Sequence, residues 1–203
     1  MNPHFFNLID IVPDGDCFFR AMTIHLNKIL QDSKRGRNNQ LLDKSLRELE
    51  HSTMLAMRLM VVNSIEMDKN KYEKEIFYDK ELYDNIDDRI EHMYKKSEFV
   101  GFLEVKKMAE LFNLQINIFS PIRTTYLRRP KITYNHIGTY GNNSENICNL
   151  YLDNNHYDLL ILKPKYTTNY HEILNSNSPE GSRKSSVSSE TENASEFDYE
   201  MVE

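Results

Sequence analysis

The apolar positions of this chain change their period part-way along it. Phe18, Met22, Leu26, Ile29 and Leu30 recur at helical spacing, which predicts a helix that opens near Cys17 and fades at "QDSKRG" (31–36). Leu46, Leu49, Met54, Met57, Val61 and Ile65 predict a second, longer helix. Segment 69–98 is charged, rich in tyrosine and weaker in period, and is expected as short helices or an arm. "EVKKMAELFNL" (104–114) places Val105, Met108, Ala109 and Phe112 on one face of a further helix. Beyond it the pattern becomes that of strands. "QINIFS" (115–120), "KITYNHI" (131–137), "NICNLYL" (146–152) and "HYDLLIL" (156–162) are rich in β-branched and aromatic residues and bounded by Pro, Gly or Asn. "DNN" (153–155) joins the last two as a hairpin turn. Helices first and strands later predict an α+β fold, and no internal repeat is visible.

Composition narrows the class. The chain has 203 residues, enough for one domain with a buried core, and 39% hydrophobic with 28% charged residues is ordinary for a globular protein. From Ser178 to Glu203 there are seven acidic and two basic residues, so −5 of the net −6 lies in that segment. It is poor in core formers, and the Ser/Glu-rich tail 166–203 is expected to be disordered from about residue 178. Within it Ser189 and Ser195 each stand three residues ahead of an acid, as acid-directed kinases favour. The domain is expected to span 1–165. The basic groups "SKRGR" (33–37) and "LRRPK" (127–131) read as solvated loops, and nothing suggests a nucleic-acid groove. No apolar run is long enough to span a membrane, and "MNPHFFNLID" lacks the signature of a signal peptide. Two cysteines exclude a disulfide framework and a four-cysteine zinc site, and a mixed site through Cys17 and Cys148 has no supporting spacing. A reducing, intracellular and cytoplasmic setting is the expectation.

The chemistry gathers at "IVPDGDCFFRAM" (11–22). Gly15 permits a sharp turn onto the helix that starts at Cys17. The unpaired amides and positive dipole of a helix start favour a thiolate there, and free amides from Asp14 to Cys17 could receive an oxyanion. Against this reading stands that of a buried structural cysteine, which is kept for Cys148. Of seven histidines, His156 is distinctive because it opens the strand "HYDLLIL". Residues i and i+2 of a strand share a face, so Asp158 lies beside His156 while Tyr157 points away. A carboxylate there can hold one imidazole nitrogen and leave the other for a thiol.

These residues meet a known pattern. "DGDCFFRA" resembles the cysteine motif Asp-Gly-Asn-Cys-Leu-Phe-Arg-Ala of the ovarian tumour (OTU) family of deubiquitinating cysteine proteases. "NLYLDNNHYDLLI" is similar to that family's histidine segment, and "FVGFLEVKKMAELFNLQINIF" to its Trp-Gly-Gly-x-x-Glu-Leu block, whose spacing Gly101, Glu104 and Ala109 keep. The three occur in order across roughly residues 8 to 163. Two departures are visible. Asp16 replaces the usual Asn, adding negative charge beside the intended oxyanion unless it faces solvent or caps the helix. Phe99 replaces the Trp.

The resemblance implies a papain-type fold and hydrolysis of the isopeptide bond after the C-terminal glycine of ubiquitin or a related modifier. Cys17 would be the nucleophile, His156 the base and Asp158 its orienter. Asp14 would shape the oxyanion loop with Gly15 and Asp16, or orient the histidine instead. No metal or organic cofactor is implied, the partners are ubiquitin conjugates, and a monomer is expected. Segment 69–98 is where the family often contacts the body of ubiquitin. The alternatives are a ubiquitin-binding protein that has lost catalysis, motivated by Asp16, and a papain-like protease acting on another substrate such as a polyprotein.

Overall fold

The computed structural model describes residues 1–33, 42–73, 85–95, 97–126, 129–143 and 145–170. Five strands form one mixed sheet in the order β1-β5-β4-β2-β3, where β1 is Phe6–Ile9, β2 Gln115–Tyr126, β3 Arg129–Tyr140, β4 Ile147–Asp153 and β5 His156–Leu162. Only β2 and β4 run parallel; the other neighbours are antiparallel. Among the described residues five helices, α1 (Cys17–Ser33), α2 (Leu42–Met67), α3 (Lys69–Tyr72), α4 (Ile86–Tyr94) and α5 (Phe102–Leu111), complete the α+β fold.

The period-2 rule sorts the strand side chains onto two faces. Ile116, Ile118, Cys148, Leu150, Tyr157 and Leu159 join the core built with α1, α2 and α5. Phe119 and Leu160 face the other way, into a second cluster with Phe6, Tyr134 and Tyr170. On α1 the buried positions Phe18, Phe19, Ala21 and Met22 leave almost no polar face near its start, so this end is enclosed by α2 and β5. On α2 the buried set Met54, Met57, Val61, Val62 and Ile65 follows helical spacing. One charged residue, Arg58, shares that stripe and is buried with it.

The turn between β4 and β5 is the two-residue loop Asn154–Asn155, both at φ 50°. Asparagine tolerates that left-handed conformation, which matches the twist of the flanking strands. The turn delivers His156 to the start of β5, opposite Asp153. Three features differ from the sequence expectation: the strand β1, the β2–β3 hairpin and the C-terminal limit. β1 is a four-residue strand that pairs with β5 along the sheet edge, and no alternation announces it. β2 and β3 run on past their apolar segments into a long hairpin that includes Pro121 and Pro130. Proline is admissible there because β4 pairs with β2 only as far as Phe119 and β3 is the edge strand. The packed unit also continues beyond residue 165. Pro164–Asn169 form a 3-10 turn that leads to Tyr170, which is 4% exposed and bonded to Asn117 and Asn149. The expectations for the tail beyond Tyr170, for residues 74–84 of the charged segment and for most of "SKRGR" lie outside the described residues.

Candidate active site

The site forms where the start of α1 meets the start of β5. Cys17 is the first residue of α1 and is 2% exposed. Its Sγ accepts a hydrogen bond from the Tyr157 amide at 3.4 Å, which seats the thiol against the strand that carries His156 and Asp158. Tyr157 turns its ring to the opposite face, edge-on to Phe18 at 5.4 Å, so the alternation of the strand holds as read.

Asp158 Oδ1 lies 2.9 Å from His156 Nε2 and accepts the Ile11 amide at 2.8 Å. The same oxygen therefore orients the imidazole and ties the strand to the chain that enters the cysteine loop. With Nε2 held, Nδ1 is the nitrogen left over, and it is buried without a hydrogen-bond partner. Buried and unpaired, it is the ring nitrogen open to a donor such as the Cys17 thiol. Among the described residues Cys17 and His156 share no hydrogen bond.

Asp14 takes a different place. Its Oδ1 accepts the Asp16 amide at 3.0 Å, closing a local turn, and Arg20 Nη2 meets its Oδ2 at 2.9 Å. The Asp14 carbonyl accepts the Cys17 amide at 3.1 Å. The side chain thus shapes the loop, and its bonds run to the loop and α1. Two of the amides expected to be free for an oxyanion are engaged by Asp14 instead. The electrostatic expectation for Cys17 is also corrected. Burial is the largest influence on the thiol and raises its pKa above the ordinary value; the Tyr157 and Phe18 amides act the other way, and Asp14 and Asp158 add to the rise. The helix start still favours a thiolate, but here the cost of desolvating the charge outweighs it. Cys148, with its Sγ 3.7 Å from Met22 Sδ in the core, is pushed up by burial alone.

Gly15 is needed for close approach rather than for a left-handed turn. A Cβ on it would stand 1.7 Å from the Ser97 carbonyl oxygen, so segment 97–99 lies directly on the cysteine loop. Asp16 neither faces solvent nor caps α1 with its side chain. It is buried, with Oδ1 2.8 Å from Arg58 Nη2. The charge that departs from the family motif is therefore met by an opposite charge from α2. Sequence reasoning passed over Arg58, although a basic residue on the apolar stripe of a helix is a legible signal. It also passed over the Ile11 and Tyr157 amides, which no side-chain pattern reveals.

The remaining motif supports this ground. Glu104 is buried and meets Arg89 through both oxygens, Oε1 to Nε at 2.9 Å and Oε2 to Nη2 at 2.8 Å, while Oε2 also accepts the Gly101 amide. The pair holds α4 to the start of α5. Phe99, in the position of the motif's Trp, is 49% exposed; its carbonyl, not its ring, is used, as acceptor for Arg89.

The model of the OTU-like cysteine protease family matches residues 12–157, and the chain belongs to that family. Solved structures share its fold. The Hazara virus OTU bound to ubiquitin is 15% identical with a TM-score of 0.52, covering 80% of this chain and 86% of that one. OTUB1, in a complex of ceOTUB1 with ubiquitin aldehyde and UBC13~Ub, is 14% identical with a TM-score of 0.51, covering 77% and 79%. The OTUD1 OTU domain is 18% identical with a TM-score of 0.50, covering 77% and 85%. Among curated protein sequences none matches this chain.

Proposed function

We propose that this chain is a deubiquitinase that hydrolyses the isopeptide bond after the C-terminal glycine of ubiquitin or a ubiquitin-like modifier. The observation that carries the reading is the state of His156. Its Nε2 is fixed on Asp158, and its Nδ1 is buried and unpartnered at the strand start whose next amide already touches Cys17 Sγ. Family membership supplies the reaction class, and the ubiquitin complexes of two structural relatives supply the substrate class.

Burial holds the Cys17 pKa above its ordinary value, so the thiol needs a base. His156 Nδ1 takes the thiol proton and Sγ attacks the glycine carbonyl. The imidazolium, held on Asp158, gives that proton to the leaving lysine amine. The C–N bond breaks and a thioester remains. Water then attacks the thioester with His156 again as base, releasing the glycine carboxylate and the Cys17 thiol. The tetrahedral oxygen is received as the Asp16 and Cys17 amides exchange their Asp14 acceptors for it. The pairing of Asp16 with Arg58 answers the charge that motivated the binder alternative, which supports the enzyme reading. Both cysteines are free thiols, which fits the proposed cytoplasmic setting.

Ubiquitin carrying a C-terminal electrophile tests the reading. It is expected to label Cys17 and leave Cys148 untouched, and Cys17→Ala is expected to abolish diubiquitin hydrolysis. Labelling absent from a folded protein, or turnover retained by Cys17→Ala, would overturn the assignment. Cleavage of a peptide substrate with no action on ubiquitin would favour the polyprotein alternative.

A further inference from the structure

Arg58 stands on the buried stripe of α2, 41 positions after Cys17 in the numbering, and its side chain is 3% exposed. A guanidinium keeps its charge when buried and presents five donors, so it must find acceptors. They come from two separate segments. Nη2 donates to the Gly15 carbonyl at 2.8 Å and to the Glu98 carbonyl at 2.8 Å, and Nη1 donates to the Met93 carbonyl at 3.3 Å. The Phe19 ring lies 4.8 Å from the guanidinium carbon. Asp16 Oδ1 is as near as the carbonyls, at 2.8 Å, yet it has no hydrogen bond, and Arg58 Nε has none either. The contact with Asp16 is therefore Coulombic, and the directed bonds go to backbone carbonyls.

The Gly15 bond fixes more than one atom. The carbonyl of Gly15 and the amide of Asp16 belong to one trans peptide plane and point in opposite directions. Arg58 holds the carbonyl end and Asp14 holds the amide end. We propose, on the reading of Cys17 as nucleophile, that Arg58 is a positioning residue for the reaction: it locks the Gly15–Asp16 peptide by its carbonyl, so that the Asp16 amide can pass from Asp14 to the oxyanion without the plane turning, and it neutralises the Asp16 carboxylate beside it. Released from Arg58, the plane can turn its carbonyl toward the developing oxyanion, and Asp16 becomes an uncompensated buried charge next to the nucleophile. Asp16 and Arg58 act as a unit, so an acid is tolerated before the cysteine because the base on α2 accompanies it.

The test uses Arg58→Met, Asp16→Asn and the double variant in the full chain. Each is assayed for kcat and KM on a fluorogenic ubiquitin amide, for melting temperature, and for the alkylation rate of Cys17 by iodoacetamide. Arg58→Met is expected to lower kcat by on the order of 100-fold, the scale of one oxyanion donor, with KM changed by less than about threefold. Adding Asp16→Asn is expected to recover roughly tenfold of that loss, because the unpaired buried carboxylate is gone. Alkylation of Cys17 is expected to slow in Arg58→Met and to recover in the double variant. Should Arg58→Met fail to fold, the double variant, free of buried charge, carries the kcat and KM measurement with a residual kcat loss expected from the missing Gly15 clamp. A folded Arg58→Met with kcat within about threefold of the parent, or a loss that Asp16→Asn does not touch, would reduce Arg58 to a core residue and overturn the proposal. If the parent cleaves no ubiquitin substrate, the proposed function fails; the alkylation rates then decide the coupling, and unchanged rates refute it.

Discussion

Asp158 serves two acceptor roles with a single oxygen, and this makes its substitutions informative at the scale of one residue. Truncation to Ala would leave the Ile11 amide buried and unpaired as well as freeing His156, mixing a folding loss of about 1–3 kcal/mol with a catalytic one. Asp158→Asn keeps an oxygen for Ile11 and removes the charge behind the imidazole. It is expected to retain the fold and to lower kcat by at least about 100-fold, since the imidazolium loses its stabilising partner. Asp16→Asn is expected to cost far less in kcat, because Arg58 already neutralises that carboxylate and keeps its bonds to the Gly15, Glu98 and Met93 carbonyls without it. Steady-state kinetics with melting curves check the pair. A milder effect at Asp158 than at Asp16 would move the orienting role away from Asp158. The motif and the i, i+2 spacing made this His–Asp pair readable in advance. The raised thiol pKa was not readable, because it depends on how completely α2 and β5 enclose the start of α1.

At the scale of elements, the site depends on how closely segment 97–99 is laid on the cysteine loop. Gly15 has the Ser97 backbone where a Cβ would be, and a backbone atom cannot step aside as a side-chain end can. Gly138 on β3 would meet only the ring end of Tyr140, at 3.2 Å. Gly15→Ala is therefore expected to lower the melting temperature clearly, by an overpacking cost of about 1–3 kcal/mol or more, and to suppress kcat; Gly138→Ala is expected to leave kcat near that of the parent. Equal behaviour of the two in calorimetry and kinetics would show that the 97–99 contact does not position the loop. α1, α2 and α5 were legible because each carries an apolar stripe, whereas the weaker period of 69–98, which holds α3 and α4, left short helices or an arm open. The strand β1 was not, since four residues give too little alternation and its place is set by the free edge of β5. The extended β2–β3 hairpin escaped for a related reason: the two prolines argue against strand until the register shows which edges are unpaired.

For the molecule as a whole, the C-terminal limit follows from packing against the neighbouring strands β2 and β4, and the response to acid draws on a histidine of α1. Tyr170 donates into a buried polar group in which Asn117 Nδ2 meets Asn149 Oδ1 at 3.0 Å and the Tyr170 hydroxyl at 3.0 Å. A chain ended after Lys165 leaves those amides without the phenol, at about 1–3 kcal/mol for each unsatisfied group, and is expected to melt well below the parent. A chain ended after Asn177 keeps Tyr170 and is expected to match the parent in melting temperature and kcat. Loss of fold or cleavage in the longer truncation would place the acidic segment within the working structure. His25 contributes to the acid side. Burial, helped by Lys28, lowers its pKa from 6.5 to about 4, so the unfolded chain binds the proton more readily than the folded one. Its contribution is complete above pH 6.5 and is lost as pH falls through 4, on the order of 2–3 kcal/mol in all. Urea unfolding of the parent and His25→Gln at several pH values should show the difference between them shrink across that window; a constant difference would refute the linkage.

Sequence carried the α+β class, the order of the main elements, a turn at 153–155 and the candidacy of Cys17, His156 and Asp158, because each is a matter of local spacing. Period, turn chemistry and motif spacing are all properties of neighbours along the chain. The fold alone could show that Asp14 turns to its own loop and Arg20, that Arg58 answers Asp16, that the Ile11 amide holds Asp158, and that Tyr170 closes the far face. These contacts join residues brought together by the sheet and by the crossing of α1 and α2. Their energies depend on burial and direction, which no order of residues expresses until the chain has packed.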